Sequence, residues 1–120
     1  MGYEYSWDIE VVAKTKARSL EILTEAMDAT IDEDERYDMN YAPEWNTRVE
    51  GYHGKWRSKE HKLLEEISKR LEDGELAYGQ YYGEDASVGY YYATKEGWKE
   101  LSQRHPMDAE IRAAQAAQER

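Results

Sequence analysis

LAYGQYYGEDASVGYYY, the stretch at residues 76–92, decides the fold because it has the pattern of two strands joined by a turn. Large side chains occupy nearly every second position on both sides of the polar segment GEDAS, and such alternation is typical of β-strands. The alternating positions are Leu76, Tyr78, Gln80 and Tyr82 before the turn and Val88, Tyr90 and Tyr92 after it. The stretch therefore predicts a β-hairpin.

The tyrosines of this hairpin form two sets, which we expect on opposite faces of the sheet. The chain has eleven tyrosines and no phenylalanine, so tyrosine rings are expected to supply part of the core. We predict that the first set faces the helices because it shares its parity with Leu76 and Val88; it consists of Tyr78, Tyr82, Tyr90 and Tyr92. Tyr81 and Tyr91 have the other parity and are expected on the open face, where they either contact a partner or are incidentally exposed.

Two patterns precede the hairpin in the first part of the chain. Residues 3–11 alternate between apolar and polar side chains, as a half-buried strand does. From Ala13 to Ile31, apolar residues recur every three or four positions, which is the period of an amphipathic helix. The acidic sequence DEDE at 32–35 opposes the negative end of the helix dipole. The helix therefore either ends near Thr30 or has basic residues opposite these carboxylates.

The middle of the chain predicts a loop, a strand and a helix. Residues 32–46 are polar and contain Pro43, which indicates a long loop. Residues 47–56 alternate weakly and predict a second strand. The next helix is expected between Ser58, which can cap its N-terminus, and Gly74 at the position just after its C-terminus. Its buried stripe consists of Leu64, Ile67 and Leu71.

A turn and a third helix follow the hairpin. The sequence at 95–97 is Lys-Glu-Gly, which is typical of a turn. Beyond Pro106 the chain is rich in alanine, and its apolar stripe consists of Met107, Ile111 and Ala114. A helix this short is marginal by itself, so it either docks on the body of the protein or on another chain, or it frays.

These elements predict an α+β fold. We expect a single α+β domain over residues 1–104, with two helices on one face of a mainly antiparallel sheet, which is ferredoxin-like layering. A C-terminal Ala-rich helix or tail is expected over residues 105–120. The order of the strands in the sheet stays open, because ordinary antiparallel meanders have the same pattern.

The composition limits the class of protein. Of 120 residues only 16 are Leu, Ile or Val, and the net charge is −10. There is no cysteine, which excludes disulfides, Cys-based metal sites and thiol catalysis. The N-terminal MGYEYSWDIE lacks the regions of a signal peptide, and no segment approaches the ~18 apolar residues of a membrane span. We expect a soluble cytoplasmic protein.

Acidic residues are concentrated in the first half of the chain. Residues 19–50 hold ten acids against Arg36 and Arg48. Such a surface attracts basic protein partners and repels nucleic acid, although acids also keep small proteins soluble. We predict that a basic partner binds the acids and tyrosines of the first helix and its following loop, together with the two open-face tyrosines. The predicted set is Glu21, Glu25, Asp28, Asp32, Glu33, Asp34, Glu35, Tyr37, Asp38, Tyr41, Tyr81 and Tyr91.

No motif indicates catalysis, a cofactor or a metal. The chain has no Gly-rich phosphate loop, no GxSxG sequence and no Cys/His pair. Asp32, Asp34 and Asp38 resemble a calcium loop, but Tyr37 and Pro43 stand where such a loop has Gly and Glu. Direct binding of nucleic acid is not expected either, because acids rather than bases flank the hairpin tyrosines. We therefore expect a protein that is not an enzyme.

Several short motifs carry a resemblance to a known family. Trp56 precedes the second helix, that helix contains Leu64-x-x-Ile67-Ser68, the hairpin contains Gly83-Glu84-Asp85, and Gly97 closes the region. This layout is similar to that of the YubB-like proteins, small ferredoxin-like proteins of phages and plasmids. The resemblance implies the fold rather than an activity.

The composition also resembles that of small acidic phage proteins that inhibit host defence, including the DNA mimics among anti-CRISPR and anti-restriction proteins. This resemblance implies a non-enzymatic inhibitor that occupies a basic, nucleic-acid-binding surface of a host defence protein. The alternative is a structural or assembly protein that forms a homo-oligomer through a tyrosine-rich sheet face.

Overall fold

The computed structural model of the protein describes residues 5–31, 39–41, 47–52, 59–83, 88–102 and 107–118. The helices in these ranges are α1 (Lys16–Thr30), α2 (Lys59–Arg70) and α3 (Asp108–Ala117). The strands are β1 (Tyr5–Val12), β2 (Met39–Tyr41), β3 (Arg48–Tyr52), β4 (Leu76–Gly83), β5 (Val88–Thr94) and β6 (Gly97–Leu101).

The described strands form one antiparallel sheet in the order β2-β3-β1-β4-β5-β6. Because β1 and β2 both run antiparallel to β3, they are parallel to each other with β3 between them. In the same way, β3 and β4 are parallel with β1 between them. The order β4-β1-β3-β2 with α1 and α2 on one face is ferredoxin-like, and β5 and β6 extend the sheet beyond β4. The predicted fold class is confirmed.

The main core lies between the sheet and the helices α1 and α2. Every second residue of β1 points into it, and Trp7, Ile9 and Val11 are almost fully buried there. Each of the two helices contributes aliphatic side chains to the core from the face that it turns towards the sheet. Those of α1 are Ile22, Leu23, Ala26 and Met27, and those of α2 are Leu63, Leu64 and Ile67.

Helix α1 begins at Lys16, inside the helical pattern that the sequence shows from Ala13 onwards. Thr15 caps its N-terminus, since its hydroxyl accepts a hydrogen bond of 3.1 Å from the backbone N–H of Arg18. The helix ends at Thr30, after which Ile31 adopts an extended conformation. The predicted end near Thr30 is confirmed, and it precedes the acids at 32–35, which lie outside the described residues.

Two predictions for the middle of the chain were wrong. Met39–Tyr41 forms the strand β2 inside the segment predicted as a loop, because pairing with β3 orders it despite its lack of a strand pattern. Gly74 does not directly follow α2, which ends at Arg70. It lies in the turn before β4 with φ of 82°, a conformation that glycine adopts without strain. Ser58, the predicted cap of α2, lies outside the described residues.

The assignment of the hairpin tyrosines to the two sheet faces was also wrong. Tyr91 is buried in the main core at 2% exposure, and Tyr81 packs against that core. The tyrosines of the other parity lie on the opposite face. The prediction failed because it rests on the parity of Leu76 and Val88: Leu76 is buried beneath α3 rather than beneath α1 and α2, and Val88 is exposed.

Helix α3 docks on the sheet face opposite α1 and α2 and forms a second, smaller core. Its predicted stripe of Met107, Ile111 and Ala114 is buried against Val12 and Leu76. The helix is also tied to the body by side-chain hydrogen bonds, among them those from Gln118 Nε2 to the carbonyl of Ala13 at 3.2 Å and to the Ser19 hydroxyl at 3.0 Å. None of the described helices is long and apolar enough to span a membrane.

Candidate functional site

Part of the sheet face that carries α3 is a polar, concave surface, which we call the polar face. Strand register places its residues in rows across the sheet. One row runs Glu50, Asp8, Gln80 and Tyr90 on β3, β1, β4 and β5. The next row runs Arg48, Glu10 and Tyr78 on β3, β1 and β4, and beyond it, outside the polar face, lies Tyr92 on β5. The polar face consists of Ser6, Asp8, Glu10, Arg48, Glu50, Tyr78, Gln80, Tyr82, Val88 and Tyr90.

Among the described residues of the polar face, carboxylates outnumber cationic groups. Arg48 Nη2 lies 2.8 Å from Asp8 Oδ2, and Arg48 Nη1 lies 3.2 Å from Glu50 Oε1. Glu10 on β1 is paired with Arg48 on the neighbouring strand β3, so the carboxylates of Asp8, Glu50 and Glu10 all act on this one guanidinium group. A cation from another molecule would therefore be attracted to this surface.

The polar face changes the pKa of Glu10. Burial raises the pKa of Glu10 above its ordinary value, and the Asp8 carboxylate adds to the rise, whereas the Tyr78 hydrogen bond and Arg48 lower it. The Tyr78 hydroxyl donates to Glu10 Oε2 at 3.3 Å and accepts from Gln115 Nε2 of α3 at 3.0 Å. Helix α3 therefore positions the ring that faces Glu10. A carboxylate of raised pKa in a cleft is a candidate binding group.

Two depressions of the surface are lined in part by the Asp8–Arg48 ion pair. The first, beside α3, has a volume of about 210 Å³ and is lined by Asp8, Glu10, Arg48, Tyr78, Gly79, Gln80, Tyr90 and Met107. The second has about 180 Å³ and is lined by Ser6, Trp7, Asp8, Arg48, Glu50 and Tyr82. Sites for drug-sized ligands usually have ~300–1,000 Å³. These depressions are smaller, and their size suits single side chains of a partner.

The structure places the acids predicted on α1 away from the polar face. Glu21, Glu25 and Asp28 are exposed on the solvent side of α1, which covers the other face of the sheet. Glu25 Oε2 lies 3.2 Å from Arg70 Nε of α2, so part of this charge is compensated. Further predicted residues lie outside the described ones, namely Asp32, Glu33, Asp34, Glu35, Tyr37, Asp38 and the side chain of Tyr41.

Tyr81 and Tyr91, which were predicted on the open face of the sheet, lie on the face that α1 and α2 cover. Tyr91 is buried beneath α2, where His61 makes an edge contact with its ring at 5.9 Å. Tyr81 lies partly exposed beside it, and its hydroxyl donates to Glu100 Oε2 at 3.2 Å. Tyr91 therefore has no open surface to offer a partner, which corrects the prediction for this residue.

The residues of the polar face were not predicted as a site, although the sequence indicates that some of them lie on the polar side of β1. Asp8 and Glu10 are the polar half of the alternation in β1, which indicates only that they lie away from the core. Their approach to Arg48, Tyr78 and Tyr90 depends on pairing with strands far along the chain. No local pattern contains that information.

The described residues contain no group of three or more His, Asp or Glu side chains that could hold a metal ion. No protein-family model matches the chain, and no curated protein or solved structure matches it either.

Proposed function

We propose that this protein is a non-enzymatic binding protein whose polar face receives basic side chains of a protein partner. The observation that carries the proposal is the depression of about 210 Å³ in which Asp8 and Glu10 stand beside the rings of Tyr78 and Tyr90. Carboxylates attract a cation, and a ring within ~6 Å adds ~0.5–2 kcal/mol of cation–π attraction. An arginine or lysine side chain of the partner fits both features.

The partner in this proposal is a protein whose basic surface otherwise holds nucleic acid. The net charge of −10, which includes the four acids at 32–35, favours association with such a surface at a distance. Occupation of the basic surface would then inhibit the partner, as the resemblance to acidic anti-defence proteins of phages implies. Because exposed charges are screened beyond ~8 Å at physiological ionic strength, association slows as salt is added.

A peptide titration tests where the cation binds. The probe is an oligo-arginine peptide, and its binding is followed through the amide resonances of the labelled protein. We expect the largest shifts around Asp8, Glu10 and Gln80. The double variant Asp8→Asn/Glu10→Gln should bind roughly tenfold more weakly than the parent.

A matched control has the same change in net charge at exposed acids of α1, Glu21→Gln/Asp28→Asn. This control should bind the peptide nearly as the parent does. If both double variants lose the same affinity, only net charge matters and the polar face is not the site. If the control alone loses affinity, the acids of α1 are the site, as the sequence predicted.

A capture experiment identifies the partner. The tagged protein is incubated with lysate at low and at high salt, and the retained proteins are identified by mass spectrometry. We expect a basic protein that the parent retains at low salt and that Asp8→Asn/Glu10→Gln does not retain. Equal retention by both would contradict the proposal.

The second candidate function is self-association, and one observation favours it. Tyr82 and Val88 pair across β4 and β5 and are the exposed large hydrophobic residues of the described chain, at 47% and 41% exposure. A second copy could bury this pair at the edge of the polar face. Light scattering after size exclusion distinguishes the two functions, since a stable oligomer that Tyr82→Lys dissociates would support self-association.

A further inference from the structure

A groove of about 560 Å³ lies beside α3, away from the depressions of the polar face. Three segments border it: the exposed side of α3, the turn between α2 and β4, and the end of β5 with its following turn. We call it the α3 groove. We call its apolar lining residues the floor, namely Leu76, Tyr92, Ala113, Ala114 and Ala117, and its other lining residues the rim, namely Glu72, Asp73, Gly74, the buried Glu75, Thr94, Lys95, Glu96 and Glu110.

The floor of the α3 groove is apolar and open to close approach. Leu76 is buried at its base, and Tyr92 presents a partly buried ring. Ala113 and Ala117 are exposed and four positions apart, so they lie on one side of α3. Because neither extends beyond Cβ, another helix could approach the backbone of α3 closely. Helices pack at ~8–10 Å between axes, and the distance depends on the side chains at the contact.

The rim of the groove is acidic. Among the described residues that line the groove, Lys95 is the one base, and it forms an ion pair with Asp73. Glu72 is ion-paired with Lys14, which lies outside the groove. Glu96 and Glu110 form no ion pair with a described residue, and they stand on the β5–β6 turn and on α3. Acidic side chains thus outnumber basic ones along the rim, and a further base, Lys99, has its Nζ 5.7 Å from the centre of the Tyr92 ring.

We propose that the α3 groove binds an amphipathic helix of a partner protein, with an apolar stripe on the floor and basic side chains towards Glu96 and Glu110. The groove has about 560 Å³, against about 210 and 180 Å³ for the two depressions of the polar face, so it offers room for more than one side chain. Recognition of this kind uses apolar anchors at helical spacing, and the acidic rim selects basic flanks. This surface is distinct from the polar face, and it binds through apolar contact as well as charge.

Synthetic helical peptides of about four turns test the proposal. The first has leucines on one side and lysines on the other; the second has the same residues scrambled; the third has glutamates in place of lysines. We expect the first to bind at least roughly tenfold more tightly than the other two by calorimetry. Equal binding of the ordered and scrambled peptides would show attraction by charge alone and overturn the proposal.

Variants of α3 locate the binding. Ala113→Arg places bulk and positive charge in the groove, whereas Ala116→Arg makes the same change at an exposed position of α3 that does not line it. Ala113→Arg should weaken binding of the Leu/Lys peptide roughly tenfold, and Ala116→Arg should leave it near the parental value. Equal binding to both variants would contradict the proposal.

A second pair of double variants tests the role of the rim charges without changing the size of a side chain on the floor of the groove. Glu96→Gln/Glu110→Gln removes two charges from the rim, and Glu21→Gln/Glu65→Gln removes two exposed charges from α1 and α2. Only the first pair should weaken binding of the Leu/Lys peptide. The polar-face variant Asp8→Asn/Glu10→Gln should change the binding of the ordered and the scrambled Leu/Lys peptides by the same factor, because the polar face attracts lysine in either peptide; a loss confined to the ordered peptide would assign it to the polar face instead.

Discussion

Glu75→Gln is expected to destabilise the protein strongly, because the Glu75 carboxylate is a buried junction between two segments. Its side chain is 0% exposed. Oε2 accepts hydrogen bonds from the backbone N–H of Lys14 at 2.9 Å and from Arg18 Nε at 2.7 Å. Oε1 accepts from Arg18 Nη2 at 3.0 Å and from the backbone N–H of Glu72 at 2.8 Å. The carboxylate thus connects the start of α1 to the turn between α2 and β4.

The expected loss of unfolding free energy follows from these four hydrogen bonds. Glutamine keeps one oxygen and therefore two of the bonds, and its NH₂ group faces the donors of the other two. Hydrogen bonds to charged groups contribute ~1.5–3 kcal/mol each, so the loss of two gives about 3 kcal/mol or more. Removing one partner of a buried ion pair costs ~3–5 kcal/mol. Because the Arg18 side chain is 30% exposed and can rehydrate, we expect the lower end, about 3 kcal/mol.

The effect should also depend on pH in a defined direction. Burial alone raises the pKa of Glu75, but Arg18 and the backbone N–H groups of Lys14 and Glu72 outweigh it, so the pKa is lowered overall. A carboxyl with a lowered folded-state pKa stabilises fully above its unfolded pKa of ~4.3 and loses this contribution as the pH falls through the folded value. Glutamine does not titrate. The difference between parent and variant is therefore constant near neutral pH and shrinks below about pH 4.

Urea unfolding at a series of pH values measures both effects. Glu65→Gln, a change at an exposed acid of α2, serves as the control and should stay within ~0.5 kcal/mol of the parent. A loss below ~1 kcal/mol for Glu75→Gln at neutral pH would refute the assignment of strong hydrogen bonds to this carboxylate. A difference that does not shrink in acid would refute the sign of the pKa shift.

Three further predictions concern packing and binding. In urea unfolding, Gly79→Ala should lower the free energy of unfolding by ~3 kcal/mol or more, because a Cβ there overlaps the backbone carbonyl of Asp8. Gly74→Ala should lower it by only ~1 kcal/mol, because a Cβ there meets open space and only the φ of 82° is unfavourable. Ile111→Ala should cost ~2–5 kcal/mol and release α3, so that amides of α3 exchange hydrogen faster than those of β4. Binding of the oligo-arginine peptide should weaken as the pH falls through the raised pKa of Glu10, and Glu10→Gln should abolish that dependence.

Much of the fold could be predicted because its elements have strong local patterns. The alternation of β1, the buried stripe of α2, the hairpin of β4 and β5, and the stripe of α3 are each contained in a few consecutive residues. β2 could not be predicted, since its three residues are ordered by pairing with β3. The faces of the hairpin were assigned wrongly because a buried Leu76 indicates a covered face without indicating which helix covers it.

The candidate site was less predictable than the fold. Asp8 and Glu10 could be assigned to the polar side of β1 from the sequence, but Arg48 and Tyr78 reach them only through the register of two non-local strand pairs. The predicted acids of α1 are exposed as expected, yet α1 covers the opposite face of the sheet. Sequence patterns of single elements specify which side of an element is polar, and the topology decides which polar sides meet.

The position of β1 in the sheet has a consequence for how the chain folds. Ile9 pairs with Val49 on one side and Gly79 on the other, so β1 is completed only by partners that come much later in the chain. The meander of β4, β5 and β6 needs only short loops, and hairpins form in ~1–10 μs. Closing the long loops to β1 costs more entropy and slows folding, so insertion of β1 is expected to limit the rate. Until then, β3 and β4 each expose an edge that another chain could pair with, and refolding yield should fall with protein concentration.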